Sequence, residues 1–396
     1  MNRERIERTK AAMKEQRIDA LVCRLPENVL LLSGYWPLCG WVYLLFPLES
    51  VPVCILPNTE ESEAAAELWD AECMMYPFGT VDAGDQYGYI ENALRKVSRG
   101  RGWKRVGYEG NFENTAPAWN AAELYVPALR SANLLRSVFG EKILVDATGL
   151  LELQRSRKTA YEIDRLRTVN EIAGIGLEAF REAVRPGISG VELAARVESE
   201  IMVRGTGYGS ARRVRAFAQV AVGPDETSIG YRPMEITTSR TLGDSEIALL
   251  ELAVVADGYW SDRTRAAVAG SPTERIQEVY EIVCQAQRAA IESVRPGARA
   301  GDVDEAARRV IRDAGLGEHF MHITGHGVGF GYHESVPRIA PGSAELLREG
   351  MVHSVEPGIY FPEMGGLRVE DDVLVTGDGV EVLGPFSRDL AGTADN

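Results

Sequence analysis

Apolar positions between Arg3 and Arg17 recur at the spacing of an amphipathic helix. The chain then turns to short unbroken apolar runs, DALVC, VYLLF and SVPVCIL, before the helical stretch EESEAAAELW. Helix and strand in that alternation predict an α/β layer with its own sheet, ending near Asp146. From Ala147 to Ala173 the pattern is helical and rich in charge, a bridge into a second domain. A length of 396 residues exceeds what one hydrophobic core usually organises, so a smaller domain is placed at 1–150 and a larger one at 158–396.

The larger part carries a faint internal repeat. Val184-Arg185-Pro186-Gly187 follows one helical stretch and precedes VELAARVESEIMVRG; Val294-Arg295-Pro296-Gly297 follows another and precedes DVDEAARRVIRDAG. Each copy breaks a helix with Pro-Gly and starts the next. The copies lie too far apart for a solenoid, so two similar α+β halves around a shared cleft are expected.

Strand patterns also bring carboxylates together. IALLELAVVADGYWSDRTRAAVAG predicts two strands around an Ala-Asp-Gly turn, with Glu251 and Asp262 on one face. Glu251 sits in the apolar run ALLELAVV, where a carboxylate is costly unless paired or bound to a metal. Glu356 lies where a strand ends at Pro-Gly in HSVEPGIY. Glu370 lies in LRVEDDVLV, whose alternation puts Arg368, Glu370 and Asp372 on one face.

The histidines sharpen this picture. All five, His319, His322, His326, His333 and His353, fall between positions 319 and 353, threaded through GHGVGFGYHE and HSVEPG. Histidine is the commonest metal ligand and moves protons near pH 7, so chemistry is expected there. Carboxylates with one imidazole make an oxygen-rich set suited to Mn, Co or Zn, as one ion or a carboxylate-bridged pair.

Composition then excludes alternatives. A net charge of −15 opposes binding to nucleic acid or an anionic membrane surface, and no apolar run has the roughly 20 residues of a membrane span. The five cysteines, Cys23, Cys39, Cys54, Cys73 and Cys284, are scattered and free of CxxC spacing, so a reducing cytoplasm is expected rather than a disulfide framework or zinc cage.

These motifs together resemble the pita-bread family of creatinase, prolidase, aminopeptidase P and methionine aminopeptidase, over nearly the whole chain. The resemblance implies an α+β pita-bread catalytic domain behind a smaller creatinase-like α/β domain. GYWSDRTR is similar to the segment carrying the family's second aspartate ligand, which assigns that role to Asp262. GHGVG assigns a ligand to His326, HSVEPGIY a ligand and general base to Glu356, and RVEDD the bridging ligand to Glu370. The His333-Glu334 pair gives His333 a role toward substrate and transition state, His322 matches a second pocket histidine, and Arg368 is expected to orient Glu370 or a substrate carboxylate. His319 and His353 are left to structure.

Two departures qualify the resemblance. Where the family's first ligand is an aspartate in DxGA, this chain has Glu251 in ELAV. The extra methylene moves the carboxylate by about 1.5 Å, when metal–oxygen bonds of about 2.0–2.2 Å leave little slack. Where peptidases of the family have HYxP, this chain has Gly230-Tyr231-Arg232-Pro233, so a histidine near the scissile bond is missing.

By resemblance, then, the expected function is hydrolysis of a C–N amide bond by metal-bound water, as a Xaa-Pro dipeptidase or aminopeptidase on short or modified peptides. Glu251, Asp262, His326, Glu356 and Glu370 hold one or two ions, Mn foremost, in a homodimer. The alternative is a metal-independent hydrolase of a small cyclic or guanidino compound, similar to creatinase or ectoine hydrolase, with Glu251 as nucleophile. A non-catalytic binding module is a third class, against which His333 and Glu356 stand. Tyr35 and Trp36 line either the pocket or the core of the N-terminal domain.

Overall fold

The computed structural model describes residues 2–81, 83–110, 129–232 and 237–390. Its contacts divide the chain into two compact units, Met1–Arg155 and Ser156–Asn396.

In the first unit the apolar runs form the centre of a six-stranded sheet. Helix α1 (Arg3–Glu15) leads into β1 (Ala20–Cys23), α2 (Pro26–Ser33), β2 (Tyr43–Pro47), β3 (Val53–Pro57) and α3 (Glu61–Glu67). Strand β4 (Glu72–Tyr76), α4 (Gln86–Ser98), β5 (Val106–Tyr108), α5 (Leu129–Phe139), β6 (Leu144–Asp146) and α6 (Thr148–Ser156) follow. The strand order is β4-β3-β2-β1-β5-β6. Strands β1, β2 and β3 are buried along their whole length, which is why their sequences read as continuous apolar runs rather than alternating ones. Tyr35 is fully buried.

The bridging stretch is two helical segments, beginning with α6. It breaks at 157–159 and restarts as α7 (Ala160–Ala183), where the Glu162 carboxylate accepts the Thr159 backbone N–H at 2.8 Å in a capping box. Helix α8 (Gly190–Glu200) follows, then β7 (Val214–Val222), α9 (Gly223–Thr227), β8 (Ile247–Ala256) and β9 (Tyr259–Val268). The second half repeats the plan with α10 (Glu274–Ser293), α11 (Ala300–Asp313), β10 (Gly325–Gly327), β11 (Glu334–Ile339) and β12 (Val352–Val355). Strands β13 (Gly358–Phe361), β14 (Gly365–Arg368), β15 (Asp371–Val375) and β16 (Val380–Val382) complete it. Among the described residues of this unit, the strands form sheets of order β7-β8-β9 and β11-β10-β12-β15-β16 and the β13-β14 hairpin.

The Val-Arg-Pro-Gly repeat is structural. Both copies terminate a helix, both glycines are left-handed (φ 86 and 83), and both fix the next helix by equivalent backbone bonds. Gly187 N donates to Leu242 O at 2.7 Å and Gly297 N to Leu347 O at 2.8 Å; isolated bridges Ser189–Thr241 and Arg299–Leu346 then match in each half. One core, including Val279, Val283, Ala307, Ile311, Val355 and Leu367, packs α10 and α11 on the strands that carry the carboxylates.

LRVEDDVLV is not a single strand. Strand β14 ends at Arg368 and β15 begins at Asp371, so Glu370 lies at the crossover, tied by its backbone to Thr264. The backbone pairing changes, Arg368 into β13 and Asp372 into β12, but the alternation holds: Arg368 and Glu370 meet at the Thr264 hydroxyl and Asp372 lies beside Asp262, while Val369 and Val373 face the core.

Candidate metal centre

The β8–β9 hairpin turns on Asp257-Gly258, both at positive φ (49 and 89), as a two-residue loop with right-handed strand twist requires. Its register sets Glu251 opposite Thr264 and Ala253 opposite Asp262, so Glu251, Asp262 and Thr264 share a face. The Glu370 backbone N–H donates to Thr264 O at 3.1 Å, and the Thr264 hydroxyl donates to Glu370 Oε2 at 2.7 Å.

His326 enters from β10. A Cβ on Gly325 would lie 2.1 Å from Ser354 O and one on Gly327 2.3 Å from Val336 O, so only glycine on both sides lets this strand fit between its neighbours. The imidazole is oriented by Nδ1, 3.0 Å from Gly327 O, which leaves Nε2 to face Asp262 Oδ2 at 3.3 Å and Glu356 Oε1 at 3.5 Å. Glu356 follows β12, its backbone N–H bonded to Thr324 O at 2.8 Å; Thr324 is itself held by Asp304 of α11 at 2.7 Å. The His333 ring lies 4.3 Å from that of His326 and 4.2 Å from that of Tyr332, centroid to centroid. Three sets of candidate ligand atoms each fit within 4.8 Å: Asp262, His326 and His333; His326, Glu356 and Glu370; Glu251, Asp262 and Glu370.

Burial pushes the Asp262 carboxyl well above its usual range, and the neighbouring Glu370 and Asp372 push it further. Glu356 is raised by burial and Glu370, against the pull of His326, and Asp372 is pushed up to about 7, chiefly by burial. Asp262 Oδ1 and Glu370 Oε1 are buried without a hydrogen-bond donor. Orphaned buried carboxylate oxygens cost free energy unless a cation joins them, so these residues fit a divalent ion.

The neighbouring pocket is polar but neutral. Burial lowers His322 to about 4 and His333 to about 3, with His326 adding to the effect on His333. Both nitrogens of His322 are engaged, Nδ1 with Ile323 O at 2.8 Å and Nε2 with the Tyr360 hydroxyl at 2.9 Å. His353 is buried in β12 with Nδ1 on Ser354 O, and His319 packs on Phe361 at 4.0 Å.

Arg368, expected to orient Glu370 or a substrate carboxylate, pairs directly with Glu251 and reaches Glu370 through the Thr264 hydroxyl. Its Nη2 donates to Glu251 Oε2 rather than to Glu370; Nε donates to Thr264 Oγ1 at 3.0 Å, and Nη1 to Tyr360 Oη at 2.9 Å and Gly230 O at 3.3 Å. Glu251 Oε1 accepts from the Tyr332 hydroxyl. At Gly230 a Cβ would meet Leu249 Cδ2 at 2.7 Å and Thr227 O at 3.0 Å, so this position offers its carbonyl and no side chain. Pro233, in the same stretch, lies outside the described residues.

Thr264, Tyr332 and Tyr360 escaped the sequence reading. Thr264 carried a signal, being two residues beyond Asp262 and so on the same strand face. Tyr332 and Tyr360 reach the site through the fold, without a local pattern. On the other face of β9, Arg263 and Arg265 each donate to Asp371 Oδ1 at 2.6 Å, while Arg388 and Gln287 donate to Oδ2 at 2.7 and 3.1 Å. Burial alone would raise Asp371, but the three guanidiniums hold it far below the usual carboxylate range.

Comparison with known proteins agrees with this geometry. The model for metallopeptidase family M24 matches residues 164–377 and that for the creatinase/prolidase N-terminal domain residues 5–157. A putative dipeptidase, YkvY, of Bacillus subtilis is 33% identical over 98% of this chain and 99% of its own. A Xaa-Pro dipeptidase of Lactobacillus delbrueckii subsp. lactis is 29% identical over 88% of each chain. The crystal structure of the prolidase from Pyrococcus horikoshii superposes with a TM-score of 0.79 at 29% identity, covering 98% of this chain and 99% of that one. No helix among the described residues is long and apolar enough to cross a membrane. With a carboxylate–histidine cluster that fits a divalent ion, a pita-bread unit behind a creatinase-like one, and these matches, the chain belongs to metallopeptidase family M24, as a metal-dependent peptidase.

Proposed function

We propose that the chain hydrolyses short peptides, Xaa-Pro dipeptides foremost, at the cluster of Asp262, His326, Glu356 and Glu370, with Glu251 at its edge. The observation that carries this reading is the pair of buried, donor-free oxygens, Asp262 Oδ1 and Glu370 Oε1, beside the imidazole of His326. A divalent ion bound there supplies Lewis acidity to the scissile carbonyl and lowers the pKa of the attacking water.

The protein's own groups do the rest. Glu356, its carboxyl raised by burial and Glu370 yet steadied by His326, takes the proton of the attacking water and delivers it to the leaving nitrogen. His333, neutral at pH 7, offers an N–H to the developing oxyanion. His322 has both nitrogens engaged, so it serves as a pocket wall that sets the Tyr360 hydroxyl. Arg368 spends four of a guanidinium's five N–H groups inside the protein, leaving one for a substrate carboxylate.

Relatives bearing the name Xaa-Pro dipeptidase support the substrate class. The oxygen-rich donor set favours Mn, with Co and Zn as substitutes. The free cysteines fit a reducing cytoplasm, and homodimerisation rests on the family resemblance. The nucleophile reading of Glu251 is not favoured, because both its oxygens are engaged by protein donors that would blunt attack.

The test is hydrolysis of Ala-Pro and Ala-Ala dipeptides by chelator-stripped protein, with and without Mn, Co or Zn. Restored cleavage that prefers Ala-Pro supports the proposal. Failure of all three ions, with less than about 0.1 equivalent of metal in protein purified without chelator, overturns it.

A further inference from the structure

Within the cluster the carboxylates fall into two classes. Glu251 is satisfied: the Tyr332 hydroxyl takes Oε1, Arg368 Nη2 takes Oε2, and the Thr264 hydroxyl lies 3.3 Å from Oε2. Asp262 and Glu370 each keep a buried oxygen with no donor. The Arg368 side chain is 3% exposed and that of Glu251 14%, so their ion pair is largely removed from solvent screening. Nor is the guanidinium a loose visitor. Thr264 Oγ1 fixes its Nε, and Tyr360 and the Gly230 carbonyl fix its Nη1. The carbonyl contact is made by the residue that has no room for a side chain.

The candidate set that includes Glu251 is Glu251, Asp262 and Glu370, whose ligand atoms come within 4.8 Å of one another, and a second ion bound through Glu251 would sit there. A carboxylate oxygen can accept a hydrogen bond and ligate at once, but an ion on Glu251 would then lie against the Arg368 guanidinium unless that ion pair opens. Releasing Arg368 strands a buried guanidinium beside an incoming dication, and removing the partner of a buried charge is strongly unfavourable. The other position faces no such competition: His326 groups with Glu356 and Glu370 and faces Asp262 at 3.3 Å, and among the described residues none of these three carboxylates forms an ion pair with an arginine.

We propose that this chain holds a single divalent ion, on Asp262, His326, Glu356 and Glu370, and that the Arg368 guanidinium, clamped by Glu251 and Tyr332, occupies the position a second ion would take. This rests on the metallopeptidase reading of the site and narrows it to one ion. Tyr332 is then part of the same device as Glu251, since its hydroxyl satisfies the oxygen that Arg368 does not reach.

Metal stoichiometry decides the matter without recourse to turnover. Full-length protein is stripped, titrated with Mn by calorimetry, and examined by electron paramagnetic resonance at increasing loading. The expected result is one tight equivalent with the hyperfine pattern of an isolated Mn ion, and any second site weaker by about a hundredfold or more. Two equivalents of similar affinity with an exchange-coupled signal overturn the proposal while leaving the peptidase reading intact. No bound ion overturns both. In E251D/Y332F the shortened carboxylate and lost hydroxyl open the clamp, and uptake of a second equivalent is expected. If the wild type binds one ion and this double variant still binds one, the clamp is not what closes the second position, and that part of the proposal falls.

Discussion

Asp371→Asn perturbs the layer that holds β9 in place. The carboxylate lies between three guanidiniums, Arg263 with no side-chain exposure, Arg265 at 4% and Arg388 at 31%. Asparagine keeps the shape, and its carbonyl oxygen can still accept from Arg263 or Arg265. Its amide nitrogen, however, is a donor and would face Arg388 and Gln287, which also donate. Summing each charge-assisted bond would overshoot, because the donors share one acceptor group; the measured cost of breaking a buried ion pair, about 3–5 kcal/mol, is the better guide. Arg388 is discounted as partly screened, which places the expectation near 3 kcal/mol. Hydrogen exchange of the β9 and β15 amides reads this directly, as a rise of about a hundredfold in exchange rate at neutral pH. The sign with pH follows from the depressed folded pKa of Asp371. Its contribution is complete above the unfolded carboxylate value of about 4 and is lost as pH falls from there toward the folded value. The difference between wild type and variant should therefore be constant from pH 6 to 8 and shrink below about 4. A rise of less than about tenfold at neutral pH, or a difference that grows on acidification, would refute the reasoning.

Three further outcomes are expected. Glu356→Gln should lower kcat by about a hundred- to ten-thousandfold while the melting transition persists, and steady-state kinetics showing a change in KM alone would contradict its role in proton transfer. Thr264→Val removes the hydroxyl that ties Arg368 to Glu370, so Mn affinity measured by calorimetry should fall about 10- to 100-fold; an unchanged affinity would show that Glu370 is held without it. His353, lowered by burial to about 4, should stay neutral across pH 5–8 in nitrogen-15 NMR, with midpoint titration near 6.5 as the contrary result.

Much of this arrangement was legible in the sequence because it depends on local rules. Two-residue-turn chemistry at Asp257-Gly258 sets the hairpin register, and the register brings Glu251 and Asp262 to one face. The Val-Arg-Pro-Gly repeat announces itself through the helix-breaking power of proline and a glycine at positive φ. What escaped depends on contacts between residues distant in sequence. Arg368 is legible as a site residue, yet its partner Glu251 lies on β8, more than a hundred residues away, and β14 and β15 pair with different strands. Period-two alternation cannot signal that change of pairing in LRVEDDVLV, since the side-chain pattern is that of an ordinary strand. Tyr332 is hidden for another reason: it lies among glycines in the connection between β10 and β11, without periodicity, and its partner Glu251 is on β8, distant in sequence.

The replacement at Glu251 shows why the substituted residue must be read together with its surroundings. Taken alone, an additional methylene at a metal ligand is a question of reach, and a glutamate could swing to meet an ion as readily as miss it. The structure adds a tyrosine hydroxyl at one oxygen and a triply anchored guanidinium at the other, so the longer side chain is committed before any ion arrives. Ion pairing points the same way: Arg368 is paired with Glu251, whereas Asp262, Glu356 and Glu370 form no ion pair with an arginine among the described residues. A cation is drawn to the group of carboxylates that lacks one already. The physical content of the departure from aspartate is thus a transfer of one metal position to the protein's own cation, made stable by desolvation and hydrogen bonding rather than by coordination.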